Sequence, residues 1–223
     1  MQIQPLIEGQ FFHIHNRGVN GENLFKEKKN YYHFLNQYRL YCPEVLETYA
    51  YCLLKNHFHL VANVKENVEV TRKDGQGLLR LPASKQLSHF FNSCAQSINK
   101  MYDRTGPLFE SPFERKLIDD PGYLNSVICY CHQDPQLHGL KKDFRDWEFS
   151  SYHAIVNDDN DFISPYEVTE LFGGIERFKE SHDLGLRKND FEKYGIECKK
   201  EEIYHLSPLP AGLTDSNESN CRL

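Results

Sequence analysis

Glu47–Leu54 and His57–Val64 are two β-rich runs with only Lys55 and Asn56 between them. So short a gap leaves two choices, a hairpin or one long bent strand, and either commits this region to a sheet. Within the second run, His57-Phe58-His59 alternates. On a strand, residues two apart project to one face, so the two imidazoles lie side by side, suited to one metal ion, while Phe58 turns into a core. The same tripeptide also suits a pair of surface histidines on a half-exposed strand. Leu60-Val61-Ala62, which follows, favours a strand that is firmly held.

The flanking periodicities supply the partners of that sheet. Phe11-Phe12-His13-Ile14-His15-Asn16 partly alternates and leaves through Arg17-Gly18, a strand followed by a turn. From Lys28 to Cys42, the residues Tyr31, Phe34, Leu35, Tyr38 and Cys42 recur at helical spacing, and Pro43 ends the helix. Residues 65–77 are mostly polar, and the non-periodic stretch runs to Pro82, which reads as a loop. Ser84–Met101 carries Leu87, Phe90, Phe91, Cys94, Ile98 and Met101 on one helical stripe. Phe113–Ile118 reads as a short strand. Asp119-Asp120-Pro121 then opens a helix expected over Gly122–Gln133, with Pro135 as its block. This order predicts an α+β fold, a small, mainly antiparallel sheet covered by helices. Beyond Ala154 the periodicity weakens, and Ser207–Leu223 has the Ser, Pro, Asn and Gly content of a disordered tail.

Composition limits the function classes. The 223 residues carry 26 Lys plus Arg against 32 Asp plus Glu, a formal net charge of -6. Taken whole, that opposes a protein that grips phosphate backbones. The charge is unevenly spread, however: residues 1–150 hold 18 basic and 17 acidic side chains, and residues 151–223 hold 8 and 15. The acidity lies in the last third. No apolar run is long enough to span a membrane. Seven cysteines and an N-terminus without the pattern of a secretory signal lead to the expectation of free thiols in a reducing cytoplasm.

Tyr130 and Asp134 stand four apart near the end of the expected helix, so a phenol and a carboxylate share one face. A helical tyrosine is usually a core residue, but a carboxylate at this spacing can join two histidines around a metal ion beside the phenol. Cys129, Cys131 and His132 suggest zinc at first sight. Cys-x-Cys on a helix splays its thiols by roughly 200°, so buried free thiols fit better.

Tyr51-Cys52-Leu53-Leu54-Lys55-Asn56-His57-Phe58-His59-Leu60-Val61 resembles the strand of the single-tyrosine HUH transposases, named for His, hydrophobic, His. The similarity is strongest to their REP-associated tyrosine transposase branch. It extends to Asn16-Arg17-Gly18, Asn99-Lys100-Met101-Tyr102, Gly106-Pro107-Leu108-Phe109 and the basic run Phe113-Glu114-Arg115-Lys116. It continues in Tyr130-Cys131-His132-Gln133-Asp134-Pro135, His138-Gly139-Leu140 and Trp147-Glu148-Phe149-Ser150-Ser151-Tyr152, covering about residues 8–155. The resemblance implies a ferredoxin-like core that cuts and rejoins single-stranded DNA near a hairpin through a 5′-phosphotyrosine. By position, Tyr130 matches the nucleophile and His57 and His59 match the metal-binding pair. Asp134 falls where relatives carry Gln or Asn, a departure that an ion such as Mg²⁺ or Mn²⁺ tolerates, since carboxylates bind both. Asn16, Arg17, Arg104, Arg115 and Lys116 are the candidate DNA contacts, with Phe109, Phe113 and Tyr152 as candidate platforms for unpaired bases.

The expected organisation is a nuclease domain over residues 1–155, an acidic, partly helical C-terminal extension over 156–206 and the tail over 207–223. The stretch near Tyr166–Phe172 is the expected helical part, packing on the core. The expected partner is single-stranded or hairpin DNA, bound by a monomer or homodimer without a membrane. Tyr102 and Tyr123 are rival nucleophiles, but neither has a carboxylate or amide four residues later. Two alternatives stay open: a hairpin-binding protein of this fold that has lost cleavage, and a metal-dependent phosphodiesterase using water. Since histidine binds metal when neutral, activity is expected to rise with pH above about 6.5. Deleting residues 156–223 is expected to raise DNA affinity if the core stays folded.

Overall fold

The computed structural model describes residues 4–71, 77–159 and 161–184. The expected tail, and Cys198 and Cys221, lie outside them. Strand β1 (Phe11–Arg17) leads to helix α1 (Lys28–Tyr41), then to β2 (Leu46–Leu53) and β3 (His57–Val64). A short pair, β4 (Glu69–Thr71) and β5 (Leu78–Arg80), precedes α2 (Ala83–Met101), β6 (Glu114–Ile118) and α3 (Pro121–Leu137). Helices α4 (Tyr152–Val156), α5 (Pro165–Phe172) and α6 (Ile175–Leu184) follow.

The main sheet has the order β2-β3-β1-β6, and each neighbouring pair is antiparallel. With α1 between β1 and β2 and α2 between β3 and β6, this is the expected ferredoxin-like arrangement. The two β-rich runs form a hairpin, closed by a hydrogen bond from Leu54 N to His57 O (2.8 Å). The stretch expected to be loop contains the β4–β5 pair instead. Three residues per strand are too few for a periodic signal.

Alternation along β3 divides the molecule into layers. Phe58 is fully buried against Phe34 of α1 and Phe91 of α2, with ring centroids 4.9 and 5.7 Å away. The neighbouring His59 faces the other way, toward Tyr130 of α3. The sheet therefore carries its aromatic core on one side and its chemistry on the other.

Helix α3 starts as expected, with Asp120 accepting a hydrogen bond from Tyr123 N (2.8 Å) and Pro121 at its first position. It does not stop before Pro135 but runs to Leu137. Proline removes one i→i−4 bond, here the one to Cys131 O, and the ladder resumes with His138 N to Asp134 O at 2.9 Å.

Residues after Ala154 are more ordered than their weak periodicity suggests. Helix α5 lies where the packing stretch was expected, whereas α6 was not foreseen. Val168, Phe172 and Phe178 are buried in the same core as the sheet, and Phe178 stacks on Tyr152 at 5.6 Å. No break in packing marks residue 155. Strand β2, at the edge of the sheet, is bridged by Ser150 at Cys52 and by Ile163 at Thr48, which covers its free backbone groups.

Candidate metal centre and nucleophile

Register brings the site together. His15 pairs with His59 and Arg17 with His57 across β1 and β3, while Glu114 pairs with His15 across β1 and β6. His13, His15, His57 and His59 thus share the sheet face that α3 covers. From α3, Tyr130 sets its ring edge-on to His59 (centroids 5.4 Å), and Asp134, one turn later, reaches between the histidines.

Asp134 is fully buried, and its Oδ2 lies 3.3 Å from His57 Nε2 and 3.4 Å from His59 Nε2. Ligand atoms of His57, His59 and Asp134 all fall within 4.8 Å of one another. The far nitrogens of both imidazoles are occupied: His57 Nδ1 by Asn56 Oδ1 at 2.8 Å, and His59 Nδ1 by His13 Nε2 at 2.9 Å. Because Asn56 Oδ1 accepts, His57 Nδ1 carries the proton, and in the neutral ring Nε2 turns a lone pair toward Asp134. His59 Nε2 and Asp134 Oδ1 are buried without a hydrogen bond of good alignment. Converging nitrogen lone pairs, the Asp134 Oδ2 oxygen between them and the orphaned, buried His59 Nε2 are what a divalent cation would satisfy, so these residues fit one.

The protonation states agree. Burial pushes His59 well below the ordinary imidazole range; Asp134 opposes that shift, while His13, His57 and His15 add to it. His13 is pushed down to about 3, chiefly by burial and then by His15. For Asp134, burial alone would raise the carboxyl pKa, but His59, His138 and His57 overcome it and hold the group below the usual carboxylate range. The site reaches solvent past His57 and His138, whose side chains are 13% and 15% exposed.

The other expected contacts are dispersed. Asn16 is buried, donating to Glu110 O (3.1 Å) and accepting from Arg17 N, so it shapes the turn after β1. Arg17 is paired with Glu110 (2.7 Å), and Arg104 with Glu22 (2.6 Å) and Asn99 (2.7 Å). Arg115 lies over the Phe113 ring at 3.7 Å, and Lys116 over the Tyr123 ring at 5.0 Å. Phe109 and Tyr152 are core residues rather than open stacking platforms, because each is enclosed by other rings. Tyr102 donates to Glu27 (2.7 Å) at the start of α1, far in the fold from the histidines. Cys129 and Cys131 are buried and form no disulfide among the described residues.

Three residues around the site were not singled out from the sequence. His13 and His15 follow the same two-residue spacing as His57 and His59, but which face they share depended on a register that only the folded sheet displays. His138 belongs to the family likeness but has no role there, because reading Pro135 as the end of the helix leaves it off the face of Tyr130 and Asp134.

No protein-family model matches the chain. Over 129 residues, 55% of this chain and 69% of the other, it is 27% identical to a protein of Haemophilus influenzae described as a REP-associated tyrosine transposase. Over those residues the chain is similar to a REP-associated tyrosine transposase. Its fold also matches the solved structure of a REP-associated tyrosine transposase bound to a REP hairpin, with a TM-score of 0.54 over 74% of this chain and 88% of that one. At 15% identity this second likeness speaks for the fold. No described helix is long and apolar enough to cross a membrane.

Proposed function

We propose that the chain is a transposase-type endonuclease and strand transferase that cuts and rejoins single-stranded DNA beside a hairpin. The observation that carries this reading is the placement of a tyrosine one helical turn from a carboxylate that meets two histidines. The relative's description and the hairpin bound by the structural neighbour support the DNA class.

In the proposed reaction the Tyr130 phenol gives up its proton to solvent and its oxygen forms a bond to the scissile phosphorus. The 3′-oxygen leaves and takes up a proton, and the tyrosine keeps the 5′-phosphate as a diester. One phosphodiester replaces another, so a second 3′-hydroxyl can reverse the step and join strands. His57, His59 and Asp134 would hold Mg²⁺ or Mn²⁺, which when bound offsets charge on the phosphate oxygens. Asn56 and His13 orient the two imidazoles, and α3 fixes the spacing of nucleophile and carboxylate. Arg17, Arg104, Arg115 and Lys116 remain proposed phosphate contacts, and reaching DNA would require Arg17 and Arg104 to exchange their carboxylate partners for phosphate. Tyr130 and the three candidate ligands lie together within one chain, so the proposed cut needs no residue of a second copy, in a monomer or in a homodimer.

One observation favours the binding-only alternative: Tyr130 is 3% exposed, so attack on a phosphate requires it or its neighbours to move. A labelled hairpin with a single-stranded flank, incubated with protein and Mg²⁺ or Mn²⁺, separates the readings. A covalent adduct that disappears in Tyr130→Phe is expected. Hairpin binding with no cutting would establish the alternative, and free product from an active Tyr130→Phe would point to hydrolysis by water.

A further inference from the structure

Asp134 has two oxygens and they face different neighbours. Oδ2 faces His57 and His59, whereas Oδ1 lies 3.1 Å from His138 Nε2. No other hydrogen-bonding partner reaches Oδ1 among the described residues, and the His138 contact itself lacks full hydrogen-bond alignment. It is a close charge–dipole contact to a carboxylate that has no access to water. His138 is held there by the backbone, since its N–H bonds to Asp134 O at 2.9 Å in the turn that continues past Pro135. Its ring also lies edge-on to His57, with centroids 5.0 Å apart.

We propose that His138 is a positioning residue for the metal centre: its Nε2–H holds Asp134 Oδ1 and so keeps Oδ2 turned to His57 and His59. The proposal rests on the metal-centre reading above. It also accounts for how a carboxylate serves in place of an amide. An amide presents one acceptor and one donor, so its nitrogen would need an acceptor where Asp134 instead offers a second anionic oxygen. A donor on the next helical turn satisfies that oxygen and leaves a single acceptor for the ion. Among the described residues the cluster of ligand atoms is His57, His59 and Asp134, and His138 does not join it.

Mn²⁺ binding to the full chain, measured by titration calorimetry and by loss of the free-ion electron paramagnetic resonance signal, tests this without DNA. His138→Ala should weaken Mn²⁺ binding by about 10- to 100-fold, the usual range for an outer partner of a metal ligand. His138→Gln, which retains an N–H donor, should recover most of that loss. In an Asp134→Asn background, removing His138 should change affinity less than about threefold, because the oxygen it holds is no longer there. Unchanged affinity in His138→Ala would overturn the proposal. So would an equal loss in the Asp134→Asn background, which would mean that His138 acts on the ion directly or only supports the fold. Thermal melts identify an unfolded variant, and His138→Phe, which keeps the ring volume but has no donor, then carries the test, alone and combined with Asp134→Asn. If these couplings appear but no DNA is cut, the strand-transfer reading fails while this one stands.

Discussion

His59 is fixed by a residue that binds nothing itself. His13 Nε2 approaches His59 Nδ1 at 2.9 Å, and both rings are buried and stacked with centroids 5.0 Å apart. For His59 to offer Nε2 to a cation, its Nδ1 must carry the proton and His13 must accept it. His13→Phe preserves the ring volume but removes that acceptor, leaving a buried N–H unsatisfied. Calorimetric Mn²⁺ affinity should fall about tenfold, with a stability loss of about 1–3 kcal/mol in urea unfolding. Retained affinity would show that packing alone orients His59. Burial also keeps His13 and His59 neutral in mildly acidic solution, so a loss of activity near pH 6.5 would not arise from these two rings. The His57–His59 pair was legible in the sequence because period two needs no tertiary information. The contribution of His13 was not, because it depends on pairing β1 to β3.

Between elements, the decisive contact is that of α6 on α3, the helix that carries Tyr130. His132 Nδ1 meets His182 Nε2 at 2.8 Å, and His132 Nε2 meets Ser151 Oγ at 2.7 Å. Gln133 donates to His182 O at 2.6 Å, and His182 Nδ1 donates to Phe178 O at 2.7 Å. These groups occupy the flank of α3 turned away from the sheet, so α6 fixes the rotation of the helix that aims Tyr130 and Asp134. Burial pushes His182 down to about 4; the Phe178 carbonyl and Asp183 oppose the shift, and Arg145 adds to it. The unfolded chain therefore binds this proton first, and stability is complete above the ordinary value of 6.5 and falls as pH drops toward about 4. The slope is about 1.4 kcal/mol per pH unit for this one group. Urea midpoints from pH 7.5 to 4.5 should show the decline, to which the buried His13, His59 and His132 add, and His182→Gln should reduce its slope by about 1.4 kcal/mol per pH unit; an identical slope in the variant would remove His182 as a source. The sequence concealed this lock for a physical reason. Helix α6 has only ten residues and a mixed polar face, so its signal is weak until Phe178 and His182 find α3.

Across the whole molecule, the net charge of -6 takes on a different meaning once the helices are in place. Residues 151–184 contain two basic and eight acidic side chains, a net of -6, whereas residues 185–223 contain six and seven, a net of -1. The acidity therefore sits on the segment that bears α5 and α6, which also buries Val168, Phe172 and Phe178. A deletion of 156–223 removes part of the core and the α6 contact to α3, so the gain in DNA affinity expected from losing an acidic appendage should not appear. Ending the chain after Leu184 instead should leave hairpin affinity within about twofold, since only one unit of net charge is lost. Replacing the exposed Glu167, Glu170 and Glu180 by Gln acts on the acidic segment without cutting it. Hairpin affinity measured by fluorescence anisotropy should then rise at low salt, and the difference should shrink near 1 M salt, where the screening length is about 3 Å. If the triple variant binds as the parent does at low salt, α5 and α6 serve the fold and the aim of Tyr130, and their charge has no part in choosing the partner.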